Sequence, residues 1–352
     1  MIYCKKPFAI VILNYNGKAY LEKFLQKVID NSSDLAEIIV ADNNSTDQSI
    51  PYLESAFPEI KTIKIDKNYG YAGGYNVALE QVDAPYFVLL NSDVEVTKDW
   101  LQPIYHFLEE NPSIAGVQPK ILSFAQKNLF EHAGASGGMI DCLGYPFCRG
   151  RIFDTVESDS GQYDDIQSIA WASGAAMIVR KDIFNKFGGL DADFFAHMEE
   201  IDFCWRVKNA GYDWKVIPSS VVYHVGGGTL DYDNPRKTYL NFRNSLWCLQ
   251  KNDTSGWVYL KILFRLLLDG VAGLQYLLKG KSNLTIAIIK SHWSFFPSFF
   301  KTKLKRSNNQ KLIQQNRIGA KNENGVLNQS IVFQYFGKGK KMYSDLYPEI
   351  KN

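Results

Sequence analysis

The sequence predicts an α/β fold with a mainly parallel central sheet flanked by helices. Three observations carry that expectation. Strand-like and helix-like segments alternate over the first 120 residues, the first and fourth strand segments are continuous apolar runs, and polar residues follow each strand. Alternating β and α segments imply parallel strands joined by crossover helices. Continuous apolar runs mark strands buried on both faces.

Taken in order, 8–13 (FAIVIL) is the first strand, and Leu21, Phe24, Leu25, Val28 and Ile29 form one side of the helix after it. A short strand at 38–41 is followed by the turn 43–47 and a second helix. Residues 62–65 form a third strand and 72–82 a helix. Residues 86–90 (YFVLL) form a fourth strand, with a helix over 98–110. Residues 124–168 are Gly-rich and polar and read as long loops or an irregular sheet edge. An apolar run returns at 169–179, helices are expected over 181–187 and 197–210, and a short strand at 221–223 ends at His224.

The chain has 352 residues, a soft prior of two domains. Its net charge of +2 hides an asymmetry. Residues 1–234 hold 19 basic and 32 acidic residues, a net of −13, whereas 235–352 hold 20 and 5, a net of +15. A basic tail on an acidic body points to an anionic partner, a membrane surface or nucleic acid. Five cysteines without C-x-x-C spacing argue against a zinc site or a disulfide framework and suit a reducing cytosol. The apolar run after Lys5 and Lys6 is too short for a secretory leader, and no window is long and apolar enough for a transmembrane helix.

In open parallel sheets, ligands bind beyond the carboxyl ends of the strands. There the chain places Asn14-Tyr15-Asn16-Gly17, then Asp42 to Asp47, then Asn68 to Asn76, then Asn91-Ser92-Asp93. Any one cluster reads as turn and N-cap chemistry. Four in succession point to a ligand. Gly70, Gly73 and Gly74 allow close backbone approach and lead into a helix N-terminus, which favours a diphosphate. The loop is not G-x-G-x-x-G and follows the third strand, which counts against a dinucleotide oxidoreductase.

Six blocks in order carry a resemblance: VILNYNG at 11–17, VADNNSTDQS at 40–49, NYGYAGGYN at 68–76, LLNSDVEV at 89–96, FFAHMEEIDFCWRVKNAGY at 194–212 and VVYHVGGGT at 221–229. The chain resembles the family-2 inverting glycosyltransferases of GT-A fold, most of all the rhamnosyltransferase-type members of bacterial surface polysaccharide synthesis. The resemblance implies a nucleotide-sugar donor. It makes Asp42 the acceptor for a pyrimidine ring N–H, in UDP or dTDP. Asn14, Asn16, Asn44, Asn68, Gly70, Gly74, Asn76, Asn91 and Ser92 complete the expected donor contacts.

Asn91-Ser92-Asp93 stands where the family has D-x-D, so Asp93 is the expected ligand of a divalent cation, Mn²⁺ or Mg²⁺. His224 matches the position of a second metal ligand, and an imidazole biases the site toward Mn²⁺. Glu200 takes the position of the general base, with Glu in place of the family's Asp. Crowded carboxylates raise one another's pKa, as a base near neutral pH requires. Trp171, Gly174, Glu199 and Asp202 are the expected acceptor-side residues. The residue types leave Trp171 open between sugar stacking and core packing, and Asp202 open to pairing with Arg206.

A catalytic domain over 1–240 and a helical, basic, membrane-associated region over 241–352 are expected. In the latter, 257–278 is an amphipathic helix with Lys261, Arg265 and Asp269 along one face, and 284–289 and 293–300 form a second apolar stretch with Pro297 at a break. Aromatics beside a basic cluster suit an anionic bilayer surface. A helical subdomain or an oligomer interface is the alternative. Nucleic acid ranks last, since no recognised motif appears and the acidic body repels phosphates. The expected function is metal-dependent, inverting transfer from a UDP- or dTDP-sugar to a lipid-linked saccharide at the inner face of the cell membrane. The rival readings are a nucleotidyltransferase and a non-catalytic, membrane-bound saccharide-binding protein.

Overall fold

In a computed structural model, residues 1–226 and 234–347 are described. Residues 227–229, the end of the sixth block, lie outside the described residues. The chain opens with β1 (Phe8–Asn14), α1 (Lys18–Ser32), β2 (Ala36–Asp42), α2 (Ser49–Ala56), β3 (Lys61–Lys64), α3 (Gly70–Leu79) and β4 (Tyr86–Asn91). β1, β2, β3 and β4 are all parallel, with β1 paired to β2 on one side and β4 on the other. The chain therefore reverses its direction of travel across the sheet between β3 and β4. Such a reversal opens a crevice at the carboxyl ends of β1 and β4.

β5 (Val94–Val96), α4 (Leu101–Glu110) and β6 (Ile114–Ser123) follow. The stretch read as long loops or an irregular sheet edge holds β7 (Gly138–Asp141), β8 (Pro146–Cys148), β9 (Arg151–Ile152) and β10 (Thr155–Val156), which form a separate small antiparallel sheet. Then come β11 (Gln167–Ile169), β12 (Ala176–Arg180), α5 (Lys181–Lys186), α6 (Glu199–Asn209) and β13 (Asp213–His224). The main sheet runs β3-β2-β1-β4-β12-β6-β13-β11, with β5 beside β13. β12 is antiparallel to β4 and β6, and β11 to β13, so the second half of the sheet is mixed.

One apolar core under α1, α2 and α4 is centred on Ile10, Val40, Val88 and Leu101. The other, under α3, α5 and α6, is centred on Val11, Tyr75, Phe87 and Phe203. β1 and β4 supply residues to both cores alternately, which is why their sequences are apolar throughout.

α7 (Pro235–Asn252), α8 (Val258–Leu278) and α9 (Ser282–Gln315) follow. The expected boundary at residue 240 falls inside α7. Pro297 lies inside α9 and does not break it. The helix is anchored on both sides of the proline, by Ile288 and Phe295 before it and Ile313 after it, and this packing offsets the lost backbone bond. The chain then returns to the body: β14 (Val326–Leu327) pairs with β7, and Tyr335 and Tyr343 join its core. The region after 241 is thus not wholly helical. Among the described residues, no helix is long and apolar enough to cross a membrane.

Candidate active site

Sheet register brings the strand-end residues into a row. Asn14 pairs with Asp42 across β1 and β2, Leu13 with Asn91 across β1 and β4, and Val94 with His224 across β5 and β13. Adjacent strands are about 4.8 Å apart, so the row spans a short arc of one edge.

On the β1–β2 side the polar groups hold one another. Asn14 Nδ2 donates to Asp42 Oδ1 at 3.0 Å and Ser45 Oγ at 3.1 Å. Asp42 Oδ2 accepts from Ser45 N at 2.9 Å. Asn16 Oδ1 accepts from Thr46 N at 2.7 Å and Asp47 N at 3.2 Å. Asn16 and Asn44 adopt positive φ, which Asn tolerates in tight turns. Asn44 is exposed at the tip of its turn. Buried Asn14 Oδ1 has no partner among the described residues.

On the β4–β13 side, Asp93 Oδ1 lies 3.2 Å from His224 Nε2. About 3 Å is also the spacing of two adjacent ligands on an octahedral ion with bonds of about 2.1 Å, so the pair could fill two positions on a divalent cation once the imidazole gives up its proton; among the described residues no group of three or more His, Cys, Asp or Glu side chains is placed to hold a metal by itself. Asn91 Nδ2 lies 3.5 Å from the same imidazole nitrogen, and Ser92 is half-buried between these residues. Sequence reasoning missed Glu131, from the stretch read as loops. Its buried carboxylate lies 3.5 Å from His224 Nδ1. Burial alone would depress the imidazole, but the two carboxylates outweigh it and raise His224 to about 10. Glu131 stands beside that second ring nitrogen without closing a hydrogen bond to it; where such a bond closes, a carboxylate is the usual group that orients a metal-binding histidine.

The third element is the start of α6. Burial pushes Glu200 up to about 7 and Glu199 well above the usual carboxylate range. Glu199 Oε2 and Glu200 Oε2 have no hydrogen-bond partner among the described residues. Glu200 is half-buried and Glu199 buried. Before them the chain bends through Phe195, His197 and Met198, all with positive φ. For such side chains this costs about 1–3 kcal/mol each and persists only where the surroundings enforce it. Contacts link the bend to the row: Tyr71 N donates to Phe195 O, Tyr71 OH donates to Gly174 O at 2.5 Å, and Asn91 N donates to Ala175 O at 3.0 Å.

Several expected contacts need correction. The α3 N-terminus is not open to a diphosphate, because Tyr71 N and Ala72 N bond Phe195 O at 2.6 and 3.3 Å. Gly70 makes room for that carbonyl, and Gly74 lets α3 pack on Leu13 and Asn43. Asn68 Oδ1 accepts from Gly70 N and Asn43 Nδ2, a local turn role. Asn76 exchanges two bonds with the Leu190 backbone, which uses both ends of its amide. Trp171 is a core residue: it is 5% exposed and its Nε1 donates to Met139 O, so neither ring face is free for a sugar. Gly174 is buried against Tyr71. Asp202 is fully buried and pairs with Lys251 at 2.9 Å and Asn252 at 2.6 Å, with Arg206 at 3.5 Å, so it ties α6 to α7 and meets no acceptor.

Residues 9–186 match the family described as "Glycosyl transferase family 2". The chain is 22% identical over 288 residues to the low-salt glycan biosynthesis hexosyltransferase Agl10 of Haloferax volcanii, covering 75% of this chain and 87% of that one. It is 23% identical over 264 residues to the N-acetylglucosaminyl-diphospho-decaprenol L-rhamnosyltransferase of Mycobacterium tuberculosis, covering 70% and 85%. Among solved structures it is similar to GalNAc-T7 with UDP, GalNAc and Mn²⁺, at 15% identity and TM-score 0.55 over 70% of this chain and 48% of that one. It is also similar to the mannosyltransferase PcManGT of Pyrobaculum calidifontis with GDP-Man and Mn²⁺, at 12% identity and TM-score 0.50 over 89% and 87%. These two similarities show a GT-A architecture.

Proposed function

The chain belongs to glycosyl transferase family 2 and is a glycosyltransferase, and from that premise we propose the reaction it performs. It moves a sugar, with inversion, from a UDP- or dTDP-sugar to a hydroxyl of a lipid-linked saccharide in cell-surface polysaccharide assembly. The observation that carries this reading is one sheet edge holding both the Asp93–His224 pair and a Glu200 carboxyl oxygen without a partner among the described residues.

Ionised Glu200 takes the proton of the acceptor hydroxyl. The freed oxygen attacks the anomeric carbon from the face opposite the diphosphate, the new C–O bond forms as the bond to the leaving oxygen breaks, and the proton stays on Glu200. A pKa of about 7 leaves about half of Glu200 ionised at neutral pH and makes that half a stronger base than an ordinary carboxylate. Asp93 and His224 would hold a divalent cation, which when bound offsets charge on the leaving diphosphate. Asp42 walls the nucleoside, with fully buried Asn14 and the Ser45 backbone fixing its carboxylate from behind. The Mn²⁺ and nucleotide ligands of the two similar structures, UDP in one and GDP-Man in the other, support a divalent cation and a nucleoside-diphosphate donor without choosing the base, and the diphospho-decaprenol named for the mycobacterial relative supports a lipid-linked acceptor.

The tail supports a membrane-facing acceptor. α8 is amphipathic the wrong way round for water, with Arg265 and Asp269 buried and Leu267 and Leu278 exposed, and α9 buries one apolar face while leaving another, with Trp293 and Phe300, exposed; these four apolar side chains are 62–80% exposed. The exposed positions 260, 263, 264, 267, 271, 274 and 278, and 286, 289, 293, 296 and 300, form one stripe on each helix. Asp269 is the sole carboxylate between residues 258 and 315, against ten basic residues. Such a surface suits an anionic bilayer at the cytoplasmic face. Incubation with Mn²⁺, UDP- and dTDP-sugars and a polyprenyl-diphosphate N-acetylglucosamine acceptor tests the reading. The product carries the anomeric configuration opposite to the donor's; retention would refute direct displacement.

A further inference from the structure

Asn244 lies on α7, beyond the expected end of the catalytic domain, and is fully buried. Its Nδ2 stands 3.0, 2.9 and 2.8 Å from the carbonyl oxygens of Phe194, Ala196 and His197. Its Oδ1 accepts from Arg243 Nε at 2.9 Å, and that guanidinium also reaches Phe194 O at 3.3 Å. From the opposite side, Tyr71 N and Ala72 N hold Phe195 O. All four carbonyls from Phe194 to His197 are therefore held from outside the bend. This is the segment with positive φ at Phe195, His197 and Met198, and it runs straight into Glu199 and Glu200. A backbone in this conformation does not persist unless its surroundings enforce it.

We infer that Asn244 is a positioning residue for the transfer base, and that α7 thereby completes the active site instead of only joining it to the exposed hairpin. The inference rests on Glu200 being that base. With the amide removed, Ala196 O and His197 O lose the donor that reaches them, while Phe194 O keeps Arg243 and Ala196 N, and the bend can relieve the loss by relaxing toward ordinary φ. Relaxation moves the start of α6 and admits water to the Glu200 carboxyl. The titratable groups around that carboxyl are Glu199 beside it, Tyr71 on α3, Cys204 on α6 and Cys248 on α7.

The test uses the full chain with Asn244→Leu, similar in shape but without a donor, and Asn244→Ser, which keeps one. Hydrogen exchange over residues 194–201 should rise at least tenfold in Asn244→Leu. The Glu200 carboxyl, followed by ¹³C NMR and assigned with Glu200→Gln, should titrate at least one pH unit lower. Binding of UDP with Mn²⁺ should stay within twofold of wild type, and Asn244→Ser should fall between. If Asn244→Leu does not fold, the same two shifts in Asn244→Ser decide. Unchanged exchange and titration in a folded variant would overturn the inference, as would loosening spread over the whole chain with loss of UDP binding. Undiminished transfer by Glu200→Gln would instead sink the base assignment, while exchange at the bend would still report whether Asn244 holds it.

Discussion

The loops at the ends of β1 and β2 and the bend before α6 stand at the same edge of the sheet and are built in opposite ways. In the first, Asn14, Asn16, Asp42 and Ser45 hydrogen-bond one another, and positive φ falls on asparagines, which accept it readily. In the second, positive φ falls on Phe195, His197 and Met198, and two carboxylates are left with unpaired oxygens. The first is a locally satisfied scaffold whose shape its own residues fix. The second is a strained, desolvated segment held by α3 and α7. Shape for a ligand can be set locally; a carboxylate tuned to titrate near neutrality needs burial enforced from a distance.

The largest expected effect falls on the second region. Glu200→Gln should lower transfer by ~10²–10⁴-fold while leaving nucleotide binding intact, measured as turnover beside calorimetry. Undiminished turnover would erase the chemical distinction between the two regions. The wild-type rate should also depend on pH with a known sign. Glu200 is protonated and inactive as a base below its pKa, so the rate should rise through about pH 7 and level off above it. A rate flat from pH 5 to 8 would contradict the assignment.

Next come the groups around the cation. Asp93→Asn or His224→Ala should remove Mn²⁺-dependent nucleotide binding, and Glu131→Ala should weaken Mn²⁺ binding by ~10–100-fold, read by the free-Mn²⁺ EPR signal. Equal affinity in Glu131→Ala would make that carboxylate a bystander. On the tail, replacing Leu267, Trp293 and Phe300 together by Glu should abolish sedimentation with phosphatidylglycerol vesicles. Adding salt should weaken wild-type binding, because each Lys or Arg near such a surface contributes ~1 kcal/mol through screened attraction. The smallest effect is Trp171→Phe, which removes one buried hydrogen bond to Met139 O. It should cost ~1 kcal/mol of stability, seen in denaturant titration, with KM for the acceptor unchanged.

β1, β2 and β4 are legible because burial on both faces writes apolar runs into the sequence, whereas β3, with Ile63 alone buried, is legible from its place in the strand–helix alternation. The strand at 221–223 was seen only as the tail of the longer β13, whose first half carries Lys215 and Pro218. The small sheet is legible only as long loops or an irregular sheet edge, because two- to four-residue strands leave no periodicity to read. Glycines at 70 and 74 pointed to close approach, but the sequence does not say whether a ligand or the protein approaches; here Phe195 O and Leu13 do. Glu131 carries no local signal, since its partner His224 is distant in the chain. Asn244 does carry one: it is the amide between Leu240 and Cys248 on the buried stripe of α7, where a polar residue requires partners. Likewise, the Lys261–Arg265–Asp269 spacing was visible, but not that this stripe faces inward and the leucines outward.

The central claim is a metal-dependent pyrimidine diphosphate site at the strand ends. Calorimetric titration of the full chain with UDP, dTDP and GDP, each with and without Mn²⁺, tests it most directly. The account predicts binding of UDP or dTDP only when Mn²⁺ is present, and little binding of GDP. No binding by folded protein, or binding indifferent to Mn²⁺, would contradict it.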